Sequence, residues 1–95
     1  MRNYELIFIV HPDLNEEALA EVCNRVKNWI SDLGGKITKE HSWGTRRLAY
    51  PIRKTREGQY LLYDMDFDPS KVAELERDLA IVEPILRYMT VRLDD

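Results

Sequence analysis

The sequence predicts an α+β fold whose elements run strand, helix, strand, strand, helix, strand. Three observations predict it. Apolar residues alternate at period two through residues 3–10 and 61–67. They recur at three- and four-residue spacing through 16–33 and 72–79. Between these patterns lie His11-Pro12-Asp13, Gly34-Gly35, Asp68-Pro69 and Glu83-Pro84, residues that stop one element or start the next.

The first strand, residues 3 to 10, places Tyr4, Leu6, Phe8 and Val10 on one face and Glu5, Ile7 and Ile9 on the other. Asn15 is positioned as an N-cap, and Glu16 and Glu17 follow in the first turn, where the helix dipole favours negative charge. Leu19, Val22, Cys23, Val26, Ile30 and Leu33 form a single apolar stripe, which Gly34-Gly35 terminates by supplying a positive φ. Residues 36 to 50 read as a long, polar, basic strand, with Pro51 to Gly58 as the connection onward. Leu61, Tyr63, Met65 and Phe67 alternate in the third strand. Asp68 caps a second helix with Pro69 at its first position, and Val72, Leu75 and Leu79 form the buried side. Glu83-Pro84 ends that connection, and Ile85 to Leu93 forms the last strand.

This order predicts a ferredoxin-like βαββαβ arrangement: a four-stranded antiparallel sheet with two helices on one face and the second and fourth strands at its edges. The predicted core face carries Tyr4, Leu6, Phe8, Val10, Leu61, Tyr63, Met65, Phe67, Met89 and Val91. The other face carries Glu5, Ile7, Ile9, Tyr60, Leu62, Asp64 and Asp66. Ile7, Ile9 and Leu62 form an apolar patch there, either a binding surface or a seat for loops or the long second strand.

Ninety-five residues are enough for a single domain spanning 1–95 with a core that needs no disulfide staples. One cysteine excludes an internal disulfide and fits a reducing compartment. No apolar run approaches the roughly 20 residues of a membrane span, and no signal-like segment precedes the first strand, which points to a cytoplasmic protein. Charge is unevenly distributed on this chain of formal charge −3. From Lys36 to Arg56 there are seven bases (Lys36, Lys39, Arg46, Arg47, Arg53, Lys54 and Arg56) and one acid, Glu40. The rest of the chain holds seven bases and sixteen acids. Fields act over about a Debye length, roughly 8–10 Å at ordinary salt, so an anionic partner responds to this local cluster and not to the total.

Catalytic patterns are absent: there is no P-loop, GxGxxG, HExxH or CxxC. Cys23 lies on an apolar stripe, which reads as packing. His11 and His41 have no ligand-type neighbours at metal spacing, and Asp64, Asp66 and Asp68 read as a solvated face plus a helix cap. No nucleophile, base and oxyanion hole come together, so the chain reads as a non-enzyme without cofactor or metal.

Gly44-Thr45-Arg46-Arg47-Leu48-Ala49-Tyr50-Pro51-Ile52-Arg53 resembles the signature of the bacterial small-subunit ribosomal protein six family: Gly, a basic pair, Leu, a small residue, Tyr, then Ile and a basic residue. The similarity extends to Met1-Arg2-Asn3-Tyr4-Glu5, to Gly58-Gln59-Tyr60 and through Leu86-Arg87-Tyr88-Met89, spanning essentially the whole chain. The resemblance implies a ferredoxin-like fold and a place in the small ribosomal subunit. It also implies binding to the central domain of small-subunit ribosomal RNA as a heterodimer with the basic small-subunit ribosomal protein eighteen. Positions matching the family's RNA- or partner-facing motif are Arg2, Arg46, Arg47, Tyr50, Lys54 and Arg87. The chain departs from some members by stopping at Asp94-Asp95, without a long acidic tail.

The residues support such binding on their own terms. Arginine grips phosphate through a planar fork and stacks on bases. Adjacent Arg46 and Arg47 point to opposite faces of a strand, and Arg53, Lys54 and Arg56 extend outward from the predicted turn. Tyr50 is held extended by Pro51 and either stacks on a base or closes the hairpin. Trp43 carries the same two readings, packing or contact. RNA-recognition sheets of the same element order need an aromatic-rich third strand. Arg56 to Tyr63 matches that only in part, and Asp64 and Asp66 would repel phosphate. The open face therefore reads as a protein-docking surface, with RNA at the strand edge and turn, aided by Arg2 and Arg87. Two other readings stand: a protein-interaction module, and a small ligand-binding domain of the acylphosphatase type. The latter requires an anion-cradling Arg near the end of the first strand and an Asn to position water, and the loop His11 to Asn15 has no Arg or Gly.

Overall fold

In the computed structural model, which describes residues 1–93, the predicted order is the observed order. The elements are β1 (Arg2–Val10), α1 (Glu16–Asp32), β2 (Lys36–Ile52), β3 (Thr55–Phe67), a 3-10 turn (Pro69–Lys71) leading into α2 (Val72–Ala80), and β4 (Ile85–Arg92). The end at Asp94-Asp95 lies outside the described residues. The strands form one antiparallel sheet in the order β2-β3-β1-β4, which is the ferredoxin-like arrangement with β2 and β4 at its edges.

Local chemistry sets the helix ends as anticipated. The Asn15 side chain accepts from the Ala18 N–H at 2.8 Å, and Gly34 takes φ +83° just past α1. Asp68 accepts from the Ser70 N–H at 2.9 Å, although the first turn it caps is 3-10 and the α-helix starts only at Val72. Val22, Val26 and Ile30 of α1 and Leu75 and Leu79 of α2 pack on Tyr4, Leu6, Phe8, Val10, Leu61, Tyr63, Met65 and Phe67. Leu19, Cys23 and Leu33 pack against the same core from its margin. Burial pushes the Tyr63 hydroxyl to a higher pKa, and the Cys23 thiol beside it adds to that rise.

Two expectations are corrected. Met89 and Val91 are not core residues: they pair with Ile7 and Glu5 on the open face and are 46% and 38% exposed. Tyr88 and Thr90, opposite Phe8 and Leu6, take the core side, and Tyr88 packs on the core. Strand β4 has apolar residues at both parities, so period two gave two registers and the pairing chose the other. The connection between β2 and β3 is not residues 51–58. Both strands run on to a two-residue turn, Arg53 and Lys54, with φ +50° and +65°. Such turns favour Asn and Gly, so Arg-Lys gave no turn signal.

Candidate functional site

The long β2–β3 hairpin builds the site. Its ladder shifts register between Ile37 and Lys39 and between Ser42 and Gly44, continues through Arg46↔Gly58 and Arg47↔Glu57, then jumps to Ile52↔Thr55, leaving residues 48–51 as a bulge opposite Arg56. Pro51 is accommodated because β2 is an edge strand. The bulge turns Leu48 inward, where it is buried with Ile9 and Leu86 in a second apolar cluster on the open face. Of the two readings for the patch around Ile7, Ile9 and Leu62, cover by the long second strand is seen in part. The second strand covers the Ile9 end, and beside it remains an open groove of about 250 Å³ lined by residues including Ile7, Trp43, Tyr60, Arg87 and Met89. Gly58 permits this closure. A Cβ there would stand 2.3 Å from Ile9 Cγ2 and 3.7 Å from Leu48 Cδ2.

Tyr50 leaves the bulge on the open side, 56% exposed. Arg87 on β4 donates to its hydroxyl at 2.6 Å, and the guanidinium carbon lies 5.9 Å from the ring centre. The second strand thus reaches across to the far edge of the sheet, joining two sequence-predicted residues that stand 37 positions apart. Trp43 is not packed in the core. It is 49% exposed and lies nearly parallel to Tyr60, with ring centres 6.3 Å apart and planes 14° apart.

Register puts Arg46 on the open face with Gly58 and Tyr60, and Arg47 on the helix side with Glu57 and Gln59, so the adjacent pair serves two faces as anticipated. Arg46, Arg47, Lys54 and Arg56 are exposed, and none forms an ion pair with a described residue. Arg53 departs from its predicted outward sweep. It donates to the Glu83 carbonyl and ties the turn to the loop before β4. Arg2 is not part of the cluster: it pairs with Phe67 at the far end of β1. Seven residue steps separate it from Ile9, the partner of Arg87, or about 23 Å along the strand. Lys36 and Lys39 also stay at that far end, opposite Asp66 and Asp64. Asp64 itself is half-buried rather than solvated, and its Oδ1 is enclosed without a hydrogen bond.

The polar groups of the β1–α1 loop are committed to the fold. His11 Nδ1 accepts from the Asp13 N–H at 3.2 Å, and the Asn15 amide oxygen serves as the helix cap, so the loop offers no acylphosphatase-type anion cradle of Arg and Asn. Among the described residues no group of three or more His, Cys, Asp or Glu could hold a metal ion, and no helix is long and apolar enough to cross a membrane. Leu48 and Met89 were the functional-surface residues that sequence reasoning missed. For Met89 the available signal was the second apolar parity of β4, and for Leu48 it was an apolar residue sharing the parity of Arg46.

Fold and hairpin together define a ferredoxin-like protein whose exposed chemistry is that of a binding surface. Comparison with known proteins gives the family. The family model described as Ribosomal protein S6 matches residues 3–92. The sequence is 45% identical over 95 residues to small ribosomal subunit protein bS6 of Caldanaerobacter subterraneus subsp. tengcongensis, covering 100% of both chains. It is 42% identical to that of Moorella thermoacetica, covering 100% of this chain and 97% of the relative. The crystal structure of 30S ribosomal protein S6 from Thermotoga maritima superposes with a TM-score of 0.90 at 36% identity, covering 96% of this chain and 86% of that one. The chain therefore belongs to the ribosomal protein S6 family, whose members are structural, non-enzymatic proteins of the small ribosomal subunit.

Proposed function

We propose that this chain binds the central domain of small-subunit ribosomal RNA, together with small-subunit ribosomal protein eighteen, as the ribosomal subunit assembles in the cytoplasm. The observation that carries the reading is the concentration of four exposed cations, Arg46, Arg47, Lys54 and Arg56, at the end of one hairpin of an acidic chain. Their ammonium and guanidinium groups are free to replace the counterions of a phosphate backbone. The open face supports the protein partner. It carries an apolar groove at Ile7, Trp43, Tyr60 and Met89, which suits the apolar anchors of a protein partner.

The test is binding to a central-domain RNA fragment, with and without protein eighteen, across a salt series. Affinity that requires the partner and falls with a log–log slope of about −3 corresponds to roughly four neutralised phosphates. Replacing Arg46 and Lys54 together by Ala is expected to weaken RNA binding and flatten that slope by about one to two, with the melting temperature held. Absence of RNA binding under both conditions would leave the protein-interaction module as the function.

A further inference from the structure

On the helix side of the hairpin, the turn and the β1–α1 loop line an open polar cleft that the family comparison does not assign. It is about 490 Å³, and its lining includes His11, Asp13, Thr45, Lys54, Thr55 and Arg56. The walls are held in place from several directions. The Gln59 amide donates to the carbonyls of His11 at 3.1 Å and Leu14 at 3.5 Å, and the His11 N–H bonds the Pro84 carbonyl at 2.8 Å. Arg53 ties the other wall to Glu83. Such a cleft needs little reorganisation to accept a ligand.

Its chemistry points to one kind of ligand. The Asp13 N–H donates to His11 Nδ1, and Thr55 Oγ1 lies 3.4 Å from His11 Nε2 at the wall of the cleft. The Thr55 hydroxyl can turn its hydrogen toward a ligand there. Thr45 adds a second hydroxyl, and Lys54 and Arg56 add two cations that have no carboxylate partner among the described residues. Of the carboxylates at the rim, Asp13 is 87% exposed and stays solvated, while Glu57 stands across the ladder from Arg47. Two cations with hydroxyl donors suit a tetrahedral, acceptor-only anion.

We propose that this cleft seats a single phosphate of the RNA backbone, held by Lys54, Arg56 and the Thr55 hydroxyl. The inference rests on the RNA-binding reading above, and adds to it that one phosphate is bound in a formed site while Arg46 and Arg47 act as diffuse charge.

The test titrates the intact chain with inorganic phosphate at constant ionic strength and follows backbone amide shifts. Saturable shifts confined to residues 11–13, 45 and 54–57 are expected. They should be lost in Arg56→Ala and retained in Arg46→Ala. Thr55→Val keeps shape and charge but removes the hydroxyl, and is expected to weaken phosphate by about tenfold or more, the scale of one hydrogen bond to a charged group. Melting temperatures of all three variants check that the cleft stays folded. Shifts that spread equally over residues 46, 47 and 87 without saturating would overturn the seat, whether or not RNA binds. Saturable phosphate with no RNA binding would keep the seat and overturn the RNA reading.

Discussion

Gly58→Ala tests the closure of the hairpin over the sheet. The added Cβ would lie 2.3 Å from Ile9 Cγ2 and 3.5 Å from the Val10 carbonyl oxygen. Ile9 is only 7% exposed, and its Cγ2 is carried directly on a β-branched carbon, so it moves only by a χ1 change or a backbone shift. Leu48 and Leu86 are buried in the same cluster and limit its movement. Overpacking of this kind costs about 1–3 kcal/mol. For a chain of this length each kcal/mol lowers the melting temperature by about 4–8 °C, so a loss of roughly 5–20 °C is expected. A double-mutant cycle with Ile9→Ala isolates the clash. That substitution removes Cγ2, and Gly58→Ala should then cost at least about 1 kcal/mol less than in the parent chain. Urea unfolding followed by circular dichroism measures all four corners. A single variant that melts within about 2 °C of the parent, or a cycle additive to within about 0.5 kcal/mol, would refute the packing argument.

Three further outcomes follow from the site. Arg53→Ala removes the tie to Glu83 and should lower stability by about 1 kcal/mol while leaving the salt slope of RNA binding unchanged, since that guanidinium faces protein; unfolding and a salt series read the two effects separately. Lys54→Gly replaces a side chain at φ +65° with the residue that adopts this region freely, so the melting temperature should hold or rise while RNA affinity falls; a drop in both would show that the turn is not strained. Asp68 is held below the ordinary carboxylate range by the Ser70 N–H and hydroxyl, so its folded pKa is the lower one. Its stabilisation is complete above the unfolded value, about 4, and is lost as pH falls through the folded value. Asp68→Asn can cap without titrating, and its melting temperature should therefore fall less steeply than the parent's between about pH 4 and pH 2.

Where one physical signal dominated, the sequence was readable. Helix caps at Asn15 and Asp68, the α1 stripe and the alternation of β1 and β3 all follow from local chemistry, and with the element order they yield the sheet order. Strand β4 was not readable in the same way, because Leu86, Tyr88, Met89 and Val91 offer apolar groups to both faces and only pairing with β1 selects one. The hairpin turn was hidden because Arg53 and Lys54 adopt positive φ under tertiary constraint and not by propensity. Among the candidate site residues, Arg46 and Arg47 were placed correctly by strand parity alone. Arg2 looked like a member of the cluster only because one-dimensional reading cannot see that β1 carries it away from the hairpin end. Tyr50 and Arg87 were each singled out, but their contact crosses the sheet and has no trace in spacing.

The length of β2 explains how an acidic chain can present a basic surface. Its first half sets Lys36 and Lys39 opposite Asp66 and Asp64, where cross-strand pairing offsets their charge, and Glu40 is drawn to Lys27 at 2.7 Å. Its second half carries Arg46, Arg47 and the turn beyond the reach of those carboxylates. From Asp66 to Gly58 on β3 is eight residue steps, about 26 Å, more than two Debye lengths at ordinary salt. The acidic end therefore does little to cancel the basic field at the tip, and the molecule is electrically polar along its hairpin. A polyanion approaching it is steered to the tip, away from the cross-paired charges at the other end of the hairpin.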